Sequence, residues 1–200
     1  MLGTFLLCVT LLTVLLGYLS VTGVDECVCL LAGLAFLLRM GFAAVNETFG
    51  LLQPADETSY HVTLQFVANQ WRSGVILSPL KIGAGPGYDA LFGKVYSLVL
   101  APVYTLFGTD PLHARFAMAL FGTLTVVNLA LIGWQLHSRR SGRYAAAIAA
   151  VFPYWIYLSG ILYRDMLVIF FFTLLFYGLL RWQRHAADSG AAVLMLAGGL

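Results

Sequence analysis

Long apolar runs constrain the fold of this chain more than any other feature. Residues 2–22 carry no charged side chain, further apolar runs cover 27–45, 112–136, 144–163 and 166–180, and an incomplete run covers 191–200. A helix needs about 20 apolar residues to cross a bilayer, so each run is a candidate span. The whole chain is 60% hydrophobic and 10% charged, whereas soluble domains are about half apolar and a quarter charged. The sequence therefore predicts an all-α fold, a polytopic bundle of transmembrane helices.

A long loop, residues 46–111, separates the second and third of these spans. After Pro54 the sequence is typical of an amphipathic helix on the membrane surface, because four apolar residues recur on one face. They are Tyr60, Leu64, Val67 and Trp71. Residues 91–107 are apolar but interrupted by Gly93, Lys94 and Pro102, which predicts a re-entrant or interfacial helix.

Arginine-rich segments predict the orientation of the bundle. Residues 138–143 and 181–185 are short and basic, and short basic loops stay in the cytoplasm. The turn at Arg164 and Asp165 lies between them in the chain and must then be on the other side. The span 112–136 ends at the cytoplasmic residues 138–143 and therefore begins outside, which places the loop 46–111 outside as well. We expect a multi-pass plasma-membrane protein with its site on the non-cytoplasmic side.

Two polar groups share that outer side and form the candidate site. Asp56 and Glu57 are an adjacent acidic pair in a chain with nine acidic residues, and Arg164 and Asp165 form the second group. Each group also has a purely structural explanation, since Asp56 can cap a helix and a charged turn is inexpensive in water. Taken together, they suit transfer from a lipid-linked phosphate: a carboxylate deprotonates the acceptor, and arginine binds the departing phosphate. Carboxylates at 56 and 165 could instead hold a divalent cation, Mg²⁺ or Mn²⁺.

Other polar residues point less clearly to a function. Arg39 lies in an apolar run, where an arginine either finds a partner or extends to the interface. Asn46 begins an Asn-Glu-Thr pattern that fits N-glycosylation. Cys27 and Cys29 are small apolar helix residues rather than a metal pair, since no second pair completes a ligand set. The net charge of +2 gives no reason to expect nucleic acid as a partner.

The order of several short motifs resembles the GT-C class of membrane glycosyltransferases, especially the protein O-mannosyltransferase and aminoarabinose transferase type. The motifs are Arg39 late in an early span, Asp56-Glu57-x-x-Tyr60 in the first outer loop, Leu106-Phe107-Gly108, Ala114-Arg115 with Ala119-Leu120-Phe121-Gly122, and the segment from Ser159 to Arg164-Asp165-x-Leu167. The resemblance covers about residues 27 to 185, and the 200 residues would be the N-terminal part of one such transmembrane domain. Members of the class continue through more spans, so this chain by itself could be inactive.

The resemblance implies transfer of a sugar from a polyprenyl-phosphate donor to a protein or glycan acceptor. Asp56, with Glu57 beside it, would then be at the catalytic centre, and Asp165 would bind metal or orient the acceptor. Arg164, Lys94, Tyr60 and Arg39 would contact substrate.

Two alternatives from other classes remain open. The chain could be a non-catalytic membrane protein, either a transporter fragment or an assembly subunit, although it shows no convincing internal repeat. It could also be a phosphatase or acyltransferase, which needs a nucleophilic histidine or serine with partners. His61 is the histidine closest to the acids in the sequence.

Overall fold

The computed structural model describes residues 2–52, 55–75, 91–184 and 189–198. These residues form helices and connecting turns and contain no strand, which confirms the predicted all-α fold. The helices are α1 (Leu2–Thr22), α2 (Glu26–Phe49), α3 (Ala55–Arg72), α4 (Leu91–Phe107), α5 (Pro111–Leu136), α6 (Arg139–Val151), α7 (Pro153–Ser159), α8 (Arg164–Arg184) and α9 (Ser189–Gly198).

Four of these helices are long and apolar enough to cross a membrane. They are α1, α2, α5 and α8, and they coincide with four of the predicted spans. The central one is α5: in its most apolar stretch 83% of residues are buried inside the protein, against 17% in α1. Because so much of α1 is apolar and unburied, lipid is the environment that suits its outer surface.

Local sequence signals explain where the helices begin and end. The Asp25 side chain accepts a hydrogen bond from the Val28 N–H and starts α2. Gly50 ends that helix at φ 59°, a left-handed conformation that glycine adopts without steric cost. Asp110 and Pro111 start α5 in the same manner, with the Asp110 carboxylate accepting from the Leu112 N–H.

The predicted span 144–163 is two helices instead of one. Pro153 has no N–H to continue the hydrogen bonding of α6, so α6 ends at Val151 and α7 begins at Pro153. The helix is thus completely broken before Pro153. Neither piece alone has the length of a span, although the two follow each other along the bundle.

The amphipathic stripe of α3 packs on protein. Tyr60, Leu64 and Val67 are buried, as their spacing predicts. Tyr60 and Leu64 belong to a core cluster with Tyr96, Leu100 and other residues of α4, α5 and α8, and α3 lies along α4. This stripe therefore faces α4, and the expected position of α3 at the membrane surface stays a prediction.

Candidate functional site

The candidate site lies where four segments meet at one end of the bundle. Glu57 is in the first turn of α3, Glu47 is near the end of α2, and Arg115 is in the second turn of α5. Leu162 lies in the turn between α7 and α8. The two polar loops singled out in the sequence are therefore at the same end of the molecule.

Arg115 connects the two glutamates. Its Nε donates to Glu57 Oε1 at 2.8 Å, and its Nη1 forms an ion pair with Glu47 Oε2. The side chains of Arg115 and Glu57 are 5% and 8% exposed, whereas that of Glu47 is 37% exposed. Two charges this deeply buried require each other, since removing one would leave the other uncompensated in a medium of low dielectric constant.

Glu57 also fixes the turn between α7 and α8. The backbone N–H of Leu162 donates to Glu57 Oε1 at 3.2 Å, so this oxygen accepts two hydrogen bonds. The other oxygen, Oε2, is buried and has no hydrogen-bond partner among the described residues. A buried carboxylate oxygen without a partner is costly, which makes it the feature of this site that most calls for a ligand.

A cavity of about 170 Å³ opens beside this network. The described residues that line it are Glu47, Glu57, Thr58, His61, Pro111, Arg115 and Leu162. An open polar cavity at the end of an otherwise apolar bundle is the arrangement expected of a binding site.

His61 forms one wall of the cavity and is held on both sides. Its Nδ1 lies 2.7 Å from the Tyr104 hydroxyl, and its Nε2 lies 2.8 Å from the side-chain amide of Gln65. Burial lowers the pKa of His61 from its ordinary value of 6.5, which favours the neutral ring at pH 7. A neutral ring already bonded at both nitrogens is suited to shaping the cavity rather than to attacking a substrate.

The residues predicted for catalysis are distributed unevenly around this cavity. Glu57 lines it directly. Asp56 is in the first turn of α3, and its side chain lies outside the described residues, as does that of Lys94 in α4. Arg164 and Asp165 are half-buried in the first turn of α8, beyond Leu162, and are not among the described lining residues. The roles expected for Asp56, Asp165, Lys94 and Arg164 stay predictions.

Tyr60 is buried next to two other tyrosines. Its ring centroid lies 4.7 Å from that of Tyr96 and 6.4 Å from that of Tyr163. The substrate contact expected of Tyr60 stays a prediction, and its described ring contacts are to the protein core.

Arg39 is not among the described residues that line the cavity, and it is fully buried. Its guanidinium donates to the carbonyl oxygens of Ala149 and Ala150 at 3.0 and 3.1 Å, and to that of Ala35 at 3.1 Å. Ala149 and Ala150 are in the last turn of α6, where the break before Pro153 leaves carbonyls without helical donors. Arg39 therefore supplies the donors that the broken helix lacks. Its described hydrogen bonds are all to the protein backbone, so the expected substrate contact has no support in this geometry.

Close packing accompanies the buried guanidinium. Gly122 of α5 lies against it: a β-carbon there would be 2.8 Å from Arg39 Nε and 2.2 Å from the Ser159 hydroxyl. A side chain at position 122 would thus displace both groups. The glycine in the Ala119-Leu120-Phe121-Gly122 motif has a packing reason to be there.

A metal site gains no support from the described residues. They contain no group of three or more His, Cys, Asp or Glu side chains placed to hold a metal ion. Because the Asp56 side chain is not described, the expectation of a cation between Asp56 and Asp165 stays a prediction.

Two residues of the site, Glu47 and Arg115, were missed in the sequence or assigned differently. Glu47 belongs to a glycosylation pattern, yet Asn46 is 1% exposed and its side chain bonds both the N–H and the carbonyl of Leu52. Asn46 is therefore a structural residue that holds the turn after α2. Arg115 could have been recognised from the sequence, because a charged residue near the start of an apolar span needs a partner.

The opposite end of the bundle has a different character. Arg143 donates to Asp25 at 2.8 Å, and the Arg139 guanidinium lies 5.6 Å from the Trp134 ring centroid. Burial alone would raise the pKa of Asp25, but hydrogen bonds from Val28 and Arg143 hold it below its ordinary value of 3.8. The basic segment is thus at the end of α5 remote from Arg115, roughly 35 Å away at 1.5 Å per residue.

Comparison with protein-family models, with curated proteins and with solved structures finds no match for this chain. The class that the fold defines is a helical membrane protein, with four helices long and apolar enough to span. Beyond that class, function has to be argued from the site.

Proposed function

We propose that this protein is a membrane glycosyltransferase, or the N-terminal part of one, that uses a polyprenyl-phosphate-linked sugar. The observation that carries the proposal is the polar cavity of about 170 Å³ bordered by Glu57, Arg115 and His61 at the end of an apolar bundle. A lipid-linked donor needs this combination of an apolar surface for the chain and a polar recess at the interface for the sugar.

The proposed reaction is a direct displacement at the anomeric carbon. An acceptor hydroxyl attacks C1 of the sugar, and the bond between C1 and the phosphate oxygen breaks. The electron pair of that bond leaves with polyprenyl phosphate, and the configuration at C1 is inverted. The Asp56 carboxylate takes the hydroxyl proton, and Arg164 neutralises charge that develops on the phosphate.

The site would face the non-cytoplasmic side of the plasma membrane. The basic residues Arg139, Arg140 and Arg143 are at the other end of α5, and basic ends stay in the cytoplasm. A separation of roughly 35 Å exceeds the hydrocarbon core, which is about 30 Å thick.

The full chain, reconstituted in vesicles that contain polyprenyl phosphate linked to radiolabelled mannose, tests the proposal. We expect release of labelled sugar from the lipid by wild type and a loss of about 100-fold in Asp56→Asn, the size typical of a general base. Glu26→Gln, an exposed acid at the opposite end, is the matched control. Equal release by wild type and Asp56→Asn would remove Asp56 from the mechanism.

A non-catalytic role is the second candidate, and one observation favours it. Arg115 is already neutralised by Glu47 and Glu57, which also hold α2, α3, α5 and the Leu162 turn together. Such a network can serve assembly alone. If no lipid-linked sugar is consumed by the wild-type chain, either alone or with the membrane fraction of its source, this second candidate is favoured.

A further inference from the structure

The Glu57 carboxylate has an accepting oxygen to spare. Oε1 receives hydrogen bonds from Arg115 and Leu162, whereas Oε2 is buried without a partner among the described residues. The side chain is 8% exposed, so bulk water reaches it poorly. Glu57 lines the cavity, and a ligand there reaches Oε2 only if the side chain shifts; a hydrogen-bond donor would then satisfy this oxygen, and an acceptor would not.

The charge of the cavity selects among ligands. Among the described lining residues, two carboxylates (Glu47 and Glu57) face one guanidinium (Arg115), which leaves one net negative charge. Arg115 Nε already contacts Glu57, and Arg115 Nη1 already contacts Glu47. An anion entering here would meet a net negative field that is weakly screened, and so phosphate is disfavoured.

The size of the cavity limits the ligand further. An engineered protein cavity of about 150 Å³ holds one benzene molecule. The cavity beside Glu57, at about 170 Å³, therefore has room for one six-membered ring. The lining contributes a further hydroxyl from Thr58 and an apolar wall from Pro111 and Leu162, which suits a ring with polar edges and apolar faces.

We infer that this cavity binds a single ring that carries a hydrogen-bond donor, hydroxyl or ammonium, at Glu57 Oε2 and that it excludes phosphate. The inference rests on the proposed function in taking that ring to be the sugar of a donor or acceptor. It assigns Glu57 to ring recognition and places the phosphate of a lipid-linked substrate outside the cavity.

Three probes that share one ring test this inference. Methyl glucoside is neutral, glucosamine is cationic and glucose 1-phosphate is anionic. Their dissociation constants are measured by saturation-transfer NMR with the full chain in lipid nanodiscs. We expect methyl glucoside or glucosamine to bind at least about tenfold more tightly than glucose 1-phosphate, because one charge-assisted hydrogen bond is gained and one repulsion is avoided.

Two variants connect any binding to this cavity. Glu57→Gln replaces the charged carboxylate by a neutral amide with one accepting oxygen. It should weaken binding of the preferred probe about tenfold. Thr58→Phe leaves the Glu57–Arg115 pair intact and fills the cavity from an exposed position, so that it should abolish binding even if Glu57→Gln folds poorly. Ser59→Phe, an exposed neighbour in the same turn that does not line the cavity, is the matched control.

Each result has a definite meaning. Preferred binding of the neutral or cationic probe, lost in Thr58→Phe and kept in Ser59→Phe, supports the inference. Tighter binding of glucose 1-phosphate, no binding of any probe, or binding that Thr58→Phe leaves unchanged overturns it. Ring binding without sugar release rejects the proposed transfer alone, whereas sugar release without ring binding rejects this inference alone.

Discussion

At the scale of single residues, the stability of the site depends on the buried pair of Glu57 and Arg115. The free-energy cost of removing both charges from water is offset by the 2.8 Å hydrogen bond between them and by the second carboxylate, Glu47. Because the environment is buried, the cost of removing one partner is much larger than the net contribution of the intact pair. This asymmetry allows a structural test that does not depend on any activity.

Arg115→Met should lower the free energy of unfolding by about 3–5 kcal/mol, because Glu57 is left buried without its partner. Glu47→Gln should cost under about 1 kcal/mol, because the Glu47 side chain is 37% exposed. The double variant Glu57→Gln with Arg115→Met should be more stable than Arg115→Met alone, since the unpaired charge that remains, Glu47, is 37% exposed rather than buried. Denaturant titration of the protein in detergent micelles measures all three. A double variant no more stable than Arg115→Met would show that the pair is not coupled.

At the scale of helices, the break between α6 and α7 is the notable irregularity of the bundle. Inside a membrane no water replaces lost helical hydrogen bonds, and broken helices require another donor. Arg39 of α2 supplies this donor to Ala149 and Ala150, and Gly122 of α5 leaves the space that its guanidinium occupies. Two neighbouring helices, α2 and α5, thus stabilise one break, and α7 leads from it to the Leu162 turn at the site.

Arg39→Met should therefore loosen α7 as well as destabilise the protein. We expect the free energy of unfolding to fall by roughly 1–3 kcal/mol for each carbonyl left without a donor. We also expect faster hydrogen–deuterium exchange of the α7 amides. Arg140→Met, which removes an exposed arginine, should change stability by less than about 0.5 kcal/mol. Unchanged exchange across α7 in Arg39→Met would show that the break is held by other contacts.

At the scale of the whole molecule, the two ends of α5 differ in chemistry. One end has the acidic cavity with Glu47, Glu57 and Arg115, and the other has Arg139, Arg140 and Arg143 near Asp25. In the proposed arrangement the membrane lies between the two ends and puts them in separate compartments. The proposed orientation rests on the arginines, because basic ends are retained in the cytoplasm.

Single-cysteine labelling checks that orientation. In a background with Cys8, Cys27 and Cys29 replaced by alanine, Thr58→Cys should react with a membrane-impermeant maleimide added to intact cells. His137→Cys should react only after the membrane is permeabilised, because His137 is exposed at the opposite end of α5. Labelling of both positions from the same side would contradict a membrane-crossing α5.

Apolar patterning predicted most of the described helices and their approximate ends, although it gave 144–163 as one span where the structure has two helices. Runs such as 2–22 and 112–136 leave no other structure open to a chain in lipid, and the spacing of Tyr60, Leu64 and Val67 identified the buried face of α3. The partners were beyond the reach of such patterns. The spacing could not say that α4 covers that face, or that Arg39 bonds α6.

The sequence by itself determined the all-helical fold and placed the two polar loops at the same end of the bundle. Each of these follows from hydropathy and charge, which act locally along the chain. The tertiary structure alone decided that Glu47, Glu57 and Arg115 share one network and that Glu57 Oε2 has no hydrogen-bond partner among the described residues. The physical reason is that an ion pair between residues 58 positions apart depends on how α3 and α5 pack. Neither residue's neighbours in the sequence record that packing.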